Sequence, residues 1–216
     1  MKCKNLIAGL SVSTLLLLST ASHAEKLKNK RVANNNISTS TQVTEQLSSD
    51  EVDKLLFMRE EEKVARDVYL TLHEKWKNPV FIRISRSEQE HMDAMALLLT
   101  KFQLDDPVVD DTIGVFTDPE LAHMYHDLVE KGQQSMLDAL YVGGLIEEVD
   151  IEDIQHGIEE TDNSLIISVY ENLLKGSRNH LRAFVGQIES KGMEYEPQVL
   201  EEATIFDIVD SPVERS

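Results

Sequence analysis

The apolar positions of this chain step by three and four over long stretches. No stretch alternates with period two for long enough to predict a strand. From Val52 to about Trp76 neither Gly nor Pro interrupts a helical spacing, with Ser49-Asp50-Glu51 as its start and Asn78-Pro79 as its end. A second helix is predicted from about Ile84 to Phe102, broken by Asp105-Asp106-Pro107. After a connection from Val108 to Phe116, Thr117-Asp118-Pro119-Glu120 supplies a cap, a proline at the first helical position and an early acid. A short helix is therefore predicted from Pro119 to about Lys131. Gln133 to about Glu160 reads as a third long helix. Leu165 to Ser190 reads as a fourth, capped by Thr161-Asp162-Asn163-Ser164 and stopped by Gly192. The expected fold is all-α: a four-helix bundle with two short links and one long crossover that carries the extra helix.

Each long helix has an apolar seam that a polar residue interrupts. In the second, Phe81, Ile84, Glu88, His91, Met95, Leu98 and Phe102 share one face, so a carboxylate and an imidazole occupy core positions. Burying an ionised carboxylate without a partner is costly, and the Glu-x-x-His pair of di-metal bundles is one solution. The bland alternative is a capping box at Ser85-Arg86-Ser87-Glu88, with Glu88 closing a first turn. On that reading Glu88→Gln costs little. As a ligand, Glu88 is an uncompensated buried charge until metal binds, and the same change relieves the metal-free protein.

The other helices answer Glu88. In the first, Leu55, Met58, Glu62, Ala65, Tyr69 and Leu72 form a seam through Glu62, while Glu61 competes on a second stripe. In the third, Leu137, Leu140, Gly144, Glu147, Ile151, Ile154 and Ile158 enclose Glu147, with Glu148 on a poorer seam. In the fourth, Ile166, Tyr170, Leu173, Ser177, His180 and Phe184 enclose His180. Four seams broken in this way predict a shared polar centre. His123 and His126 on the short helix, His73 and His156, and the acidic pairs Glu159-Glu160 and Glu201-Glu202 read as solvated faces. Met58, Met92 and Met95 read as core filler.

The N-terminus changes the setting. Met1-Lys2-Cys3-Lys4, an apolar run from Leu6 to Leu18 and Ser22-His23-Ala24 together read as a secretory signal peptide, too short and too broken by serines to span a membrane. Residues 1–24 are read as the leader and 25–48 as a polar linker. The helical domain is placed at 49–192 and a tail with one short helix at 193–216. The expected location is periplasmic or secreted. The only cysteine, Cys3, leaves with the leader, so a disulfide-free core or bound metal must hold the exported chain together. The net charge of -18 disfavours nucleic acid and anionic membrane surfaces as partners and suits a protein that attracts cations.

At this point a resemblance adds to the reading. Glu62-Lys63-Val64-Ala65-Arg66-Asp67-Val68-Tyr69 resembles the first-helix motif of rubrerythrins, and Glu88 to His91 resembles their second-helix Glu-x-x-His. Together with Ile146-Glu147-Glu148 and Gly176-Ser177-Arg178-Asn179-His180, the pattern is similar to the ferritin-like family of exported proteins catalogued as domain of unknown function 2202. The resemblance implies one or two ions, iron or manganese, held by Glu62, Glu88, His91, Glu147 and His180, with Tyr69 as a hydrogen-bond donor beside them. It implies ferroxidase or peroxide-reducing chemistry with an external electron donor, since no Cys-x-x-Cys module is present. Besides the missing Cys-x-x-Cys, one feature departs from the pattern. Ser177 stands where the second Glu-x-x-His would place a carboxylate, and serine is a poor ligand for a divalent ion. Asp150 or Glu171 are the candidate substitutes. The alternative is a non-enzymatic bundle with a degenerate or purely structural polar centre.

Overall fold

The computed structural model describes residues 47–215, so the leader and nearly all of the linker lie outside the described residues. Among those residues there are six α-helices and no strand: α1 Ser49–Trp76, α2 Pro79–Phe102, α3 Pro119–Gly132, α4 Met136–Glu159, α5 Ser164–Glu189 and α6 Glu202–Asp210. None of them is long and apolar enough to cross a membrane.

The starts are set by local chemistry. Ser48 and Glu51 form a capping box on α1, each side chain taking an orphan backbone N–H at the helix start. Asn78 caps α2 by accepting from Val80 N at 3.0 Å, with Pro79 at the first helical position. The motif that ends α1 therefore also begins α2, a turn and a half before the expected Ile84. This removes the capping-box reading of Glu88, which lies well inside α2, while Ser85 Oγ donates to Ile82 O. Ser135 caps α4 and Asn163 caps α5.

The link between α1 and α2 is only two residues long and that between α4 and α5 four, so each pair packs as a hairpin. Contacts between the hairpins run along α1–α4 and α2–α5, and α3 packs on both α1 and α4. Beside the polar centre, the rings of Tyr69, Phe81 and Phe184 form a cluster with centroids 5.3–6.3 Å apart. Gly143 admits Phe184, because a Cβ there would lie 2.4 Å from the ring.

The tail folds back on the second hairpin. Glu148, buried on α4, accepts from the Tyr195 hydroxyl and from the backbone N–H groups of Gln198, Val199 and Leu200. Arg178 and Arg182 of α5 bind Glu214, and Arg182 also donates to Ile208 O.

Candidate metal centre

The helices bring Glu62, Glu88, His91, Glu147 and His180 together, and all five are buried. Two groups of three have ligand atoms within 4.8 Å of one another: Glu62, Glu88 and His91, and Glu88, Glu147 and His180. Glu88 belongs to both. Its Oε2 lies 2.9 Å from His91 Nδ1, and its Oε1 lies 2.9 Å from His180 Nδ1. His91 Nδ1 is also 3.1 Å from Glu62 Oε2, and His180 Nδ1 is 3.3 Å from Glu147 Oε2.

These short contacts are mostly not hydrogen bonds. Of the four, only the one between His91 and Glu62 has hydrogen-bond geometry. Both oxygens of Glu88, Oε1 of Glu62, Oε2 of Glu147 and Nδ1 of His180 are buried without a hydrogen-bond partner. Buried polar atoms are nearly always partnered. Donor atoms that approach each other without aiming at each other fit a cation between them. Carboxylates and imidazoles are the donor set for hard to borderline divalent ions.

Electrostatics follow from the same packing. Burial works against the charge on Glu88, but His180 and His91 outweigh it and hold the carboxyl at about 2. Burial raises Glu147 to about 7, with Glu88 adding to it and His180 opposing. Burial disfavours a charged His180, yet Glu88 and Glu147 push it up to about 10. His91 is raised in the same way by Glu62 and Glu88. Burial also raises Glu62, against the pull of His91. Without metal, protons on the imidazoles stand in for the missing cation. The expectation that Glu88 is uncompensated in the metal-free protein is therefore corrected: two imidazoles compensate it.

The surroundings sort the remaining candidates. Tyr69 donates to Glu147 Oε1 at 2.5 Å, fixing that carboxylate while leaving Oε2 free. Ser177 is buried, but its hydroxyl donates to Leu173 O at 3.2 Å and belongs to neither group of three. Neither candidate substitute for the missing carboxylate joins them. Glu171 is exposed, and Asp150 is buried but outside both groups. Gly176 makes room for His91, whose Nε2 would lie 2.3 Å from a Cβ at that position. His123, His126 and His156 are exposed, as are Glu159, Glu160, Glu201 and Glu202, and His73 is half-buried against Asn78 O.

Two groups of buried charge had no clear signal in the sequence. Glu148 is occupied by the tail. The other set lies on the α1 face toward the crossover. Arg59 binds Asp106, and Glu60 accepts from the N–H groups of Thr117 and Asp118. Lys63 donates to Asp67 at 2.6 Å and to Thr112 O, with its ammonium over the Phe116 ring. Arg66 pairs with Asp67 and Asp111. Asp67 also accepts from Gly114 N. A run of charges on one helix gives no periodic sign that a loop will cover it.

A family model described as an uncharacterized protein domain (DUF2202) matches residues 51–212. The uncharacterized protein MJ0754 of Methanocaldococcus jannaschii is 51% identical over 169 residues, which is 78% of this chain and 91% of that protein. The crystal structure of hypothetical protein MJ0754 from Methanococcus jannaschii matches with a TM-score of 0.78 at 49% identity, covering 81% of this chain and 100% of that one.

Proposed function

The chain belongs to the DUF2202 family, and on that footing we propose that its buried centre binds one or two divalent metal ions, iron or manganese, in a ferritin-like four-helix bundle. The observation that carries this reading is Glu88. Both of its oxygens lack hydrogen-bond partners, and each lies 2.9 Å from the Nδ1 of a different imidazole. Glu62 and His91 complete one ion position with it, and Glu147 and His180 complete the other. Tyr69 orients Glu147 by its hydrogen bond.

Iron or manganese held there supplies one-electron redox chemistry, and the resemblance to rubrerythrins points to peroxide reduction or oxidation of added ferrous ion. The chain's own residues bind the ions and exclude water. They also hold protons on His91 and His180 until metal displaces them. Electrons come from a separate donor.

A second reading is storage or stabilisation by metal without catalysis. The Ser177 hydroxyl favours it: bound to Leu173 O, it leaves the centre one carboxylate short of the rubrerythrin pattern.

The test is anaerobic loading of the purified protein with ferrous or manganous ion, followed by metal analysis. Up to two ions per chain are expected, and none would overturn the proposal. Peroxide-dependent oxidation of added ferrous ion then separates the catalytic reading from storage.

A further inference from the structure

Two buried carboxylates remain unused by the centre. Glu61 is 3% and Asp150 1% exposed, and neither belongs to either group of three. Both oxygens of Glu61 and Oδ2 of Asp150 have no hydrogen-bond partner. Both residues line a cavity of about 110 Å³ between α1, α3 and α4, whose other walls include Val64, Met124, Leu128 and Val149. The two carboxylates are the only polar side chains in its otherwise apolar lining.

The placement is ordered. On α4, Glu147, Asp150 and Asp153 step by three, so they follow one another along one side of the helix. Burial decreases along the row. Glu147 is fully buried, Asp150 nearly so, and the Asp153 side chain is 30% exposed, paired with Lys54 at 2.5 Å. Glu61 faces this row from α1, lining the same cavity as Asp150. The charges of Asp153 and Glu62 both act on it, and those of Glu62, Glu61 and Glu147 act on Asp150. A succession of carboxylates therefore runs from partly exposed Asp153 to the centre.

Unpaired buried carboxylates are costly, and a passing cation offsets that cost. Two carboxylates suit a hard divalent ion held weakly, since such ions bind through one or two acidic ligands and carry their own waters. Building on the metal reading above, we propose that Glu61 and Asp150 form a transfer station through which divalent ions pass from Asp153 to the centre.

The test is the loading rate, separated from the loaded state. Metal-free full-length protein is mixed with cobaltous ion in a stopped-flow instrument, and its absorption is followed to the plateau. The parent is compared with the Glu61→Gln/Asp150→Asn double variant and with Asp153→Asn. These near-isosteric changes remove charge and leave the five centre residues in place. The double variant should load about tenfold or more slowly, in line with the effect of focused charge on cation capture. Asp153→Asn should slow loading by a smaller factor. Final cobalt content and spectrum should match the parent in both.

Loading of the double variant at the parental rate would overturn the proposal. A lower final cobalt content would also overturn it, by making these residues ligands of the centre. A parent that takes up no cobalt would remove the metal reading itself, and this station with it. Should circular dichroism show the double variant unfolded, Glu61→Gln and Asp153→Asn carry the same rate comparison singly.

Discussion

The two faces of α1 both bury charge and handle it in opposite ways. Toward the crossover, Arg59, Glu60, Lys63, Arg66 and Asp67 find partners of opposite charge or backbone groups. Toward the interior, Glu61 and Glu62 keep three oxygens without hydrogen bonds, and Glu88 and Glu147 add three more across the interface. The first face is close to electrically closed by protein alone. On the second, protons on His91 and His180 supply the positive charge, and the carboxylates Glu62, Glu88 and Glu147 outnumber them. Burial by itself does not separate structure from function here; the state of the partners does. A paired ion network, in which Arg59 Nη1 alone lacks a hydrogen bond, fixes the connection on the helix, whereas the unpaired oxygens of the other face leave room for a cation.

That contrast breaks most visibly at Asp67. Asp67→Ala leaves Lys63 buried with only Thr112 O and the Phe116 ring, and removing one partner of a buried pair costs roughly 3–5 kcal/mol. Melting curves should show that loss equally with and without metal, and a change in the metal-induced shift would show that the two faces are coupled.

Glu88→Gln should act in the opposite sense. The change removes the charge shared by both groups of three. Stabilisation by added ferrous or manganous ion, about 3–4 kcal/mol when the ion is at a few hundred times its dissociation constant, should nearly vanish. The metal-free variant should also melt lower than the parent, because Glu88 is the carboxylate that both imidazoles support. Equal metal-induced shifts in the two proteins would exclude Glu88 as a ligand.

The pH dependence sharpens the comparison further. Glu147 is raised to about 7, so its folded form disfavours the charge and stability falls as pH rises from about 4.5 through 7. His180 is raised to about 10, so its contribution is complete below about 6.5 and is lost as pH rises through 10. Both act in one direction. Metal-free protein should melt lower at pH 8 than at pH 5 by roughly 5 °C, about what 1–2 kcal/mol produces in a domain of this size. The metal-induced shift should grow over the same interval, because ligands that release protons bind better at higher pH. Melting curves at the two pH values, with and without chelator, check both signs. A metal-induced shift that shrinks toward pH 8 would mean that these groups do not bind the ion.

The smallest effect belongs to Ser177. Its hydroxyl bonds to Leu173 O and not to the centre. Ser177→Ala should change stability by about 0.5 kcal/mol or less and leave metal content unchanged, as a bond within the helix's own turn implies. Lost metal on analysis of the variant would return Ser177 to the centre.

The central residues were legible because each is a polar break in an apolar seam, and helical spacing then assigns a face. Spacing left Glu61 competing with Glu62, and both are buried, because apolar neighbours flank each of them. The start of α2 was not legible, because Asn78-Pro79 has the chemistry of a stop and of a start at once, and only packing decides. Glu148 was hidden because its partners, Tyr195 and the N–H groups of residues 198–200, come from an irregular segment with no period to read. Arg59, Glu60, Lys63 and Asp67 were hidden for a related reason. A loop distant in sequence covers them, and a charged stripe looks the same whether a loop or water lies over it.

The hairpin arrangement has a further consequence. The first hairpin contributes Glu62, Glu88 and His91, the second Glu147 and His180, and of the described helices outside the hairpins only α3 contacts both of them. The centre thus lies on a seam where sub-global opening is expected, with α3 lacing the α1–α4 side and no helix lacing the α2–α5 side. An ion that shares Glu88 between the hairpins makes each such opening cost its own binding free energy. Amide hydrogen exchange along the facing sides of α2 and α5 is then a clock for occupancy, slow when the seam is closed by metal and fast when it is held by protons alone.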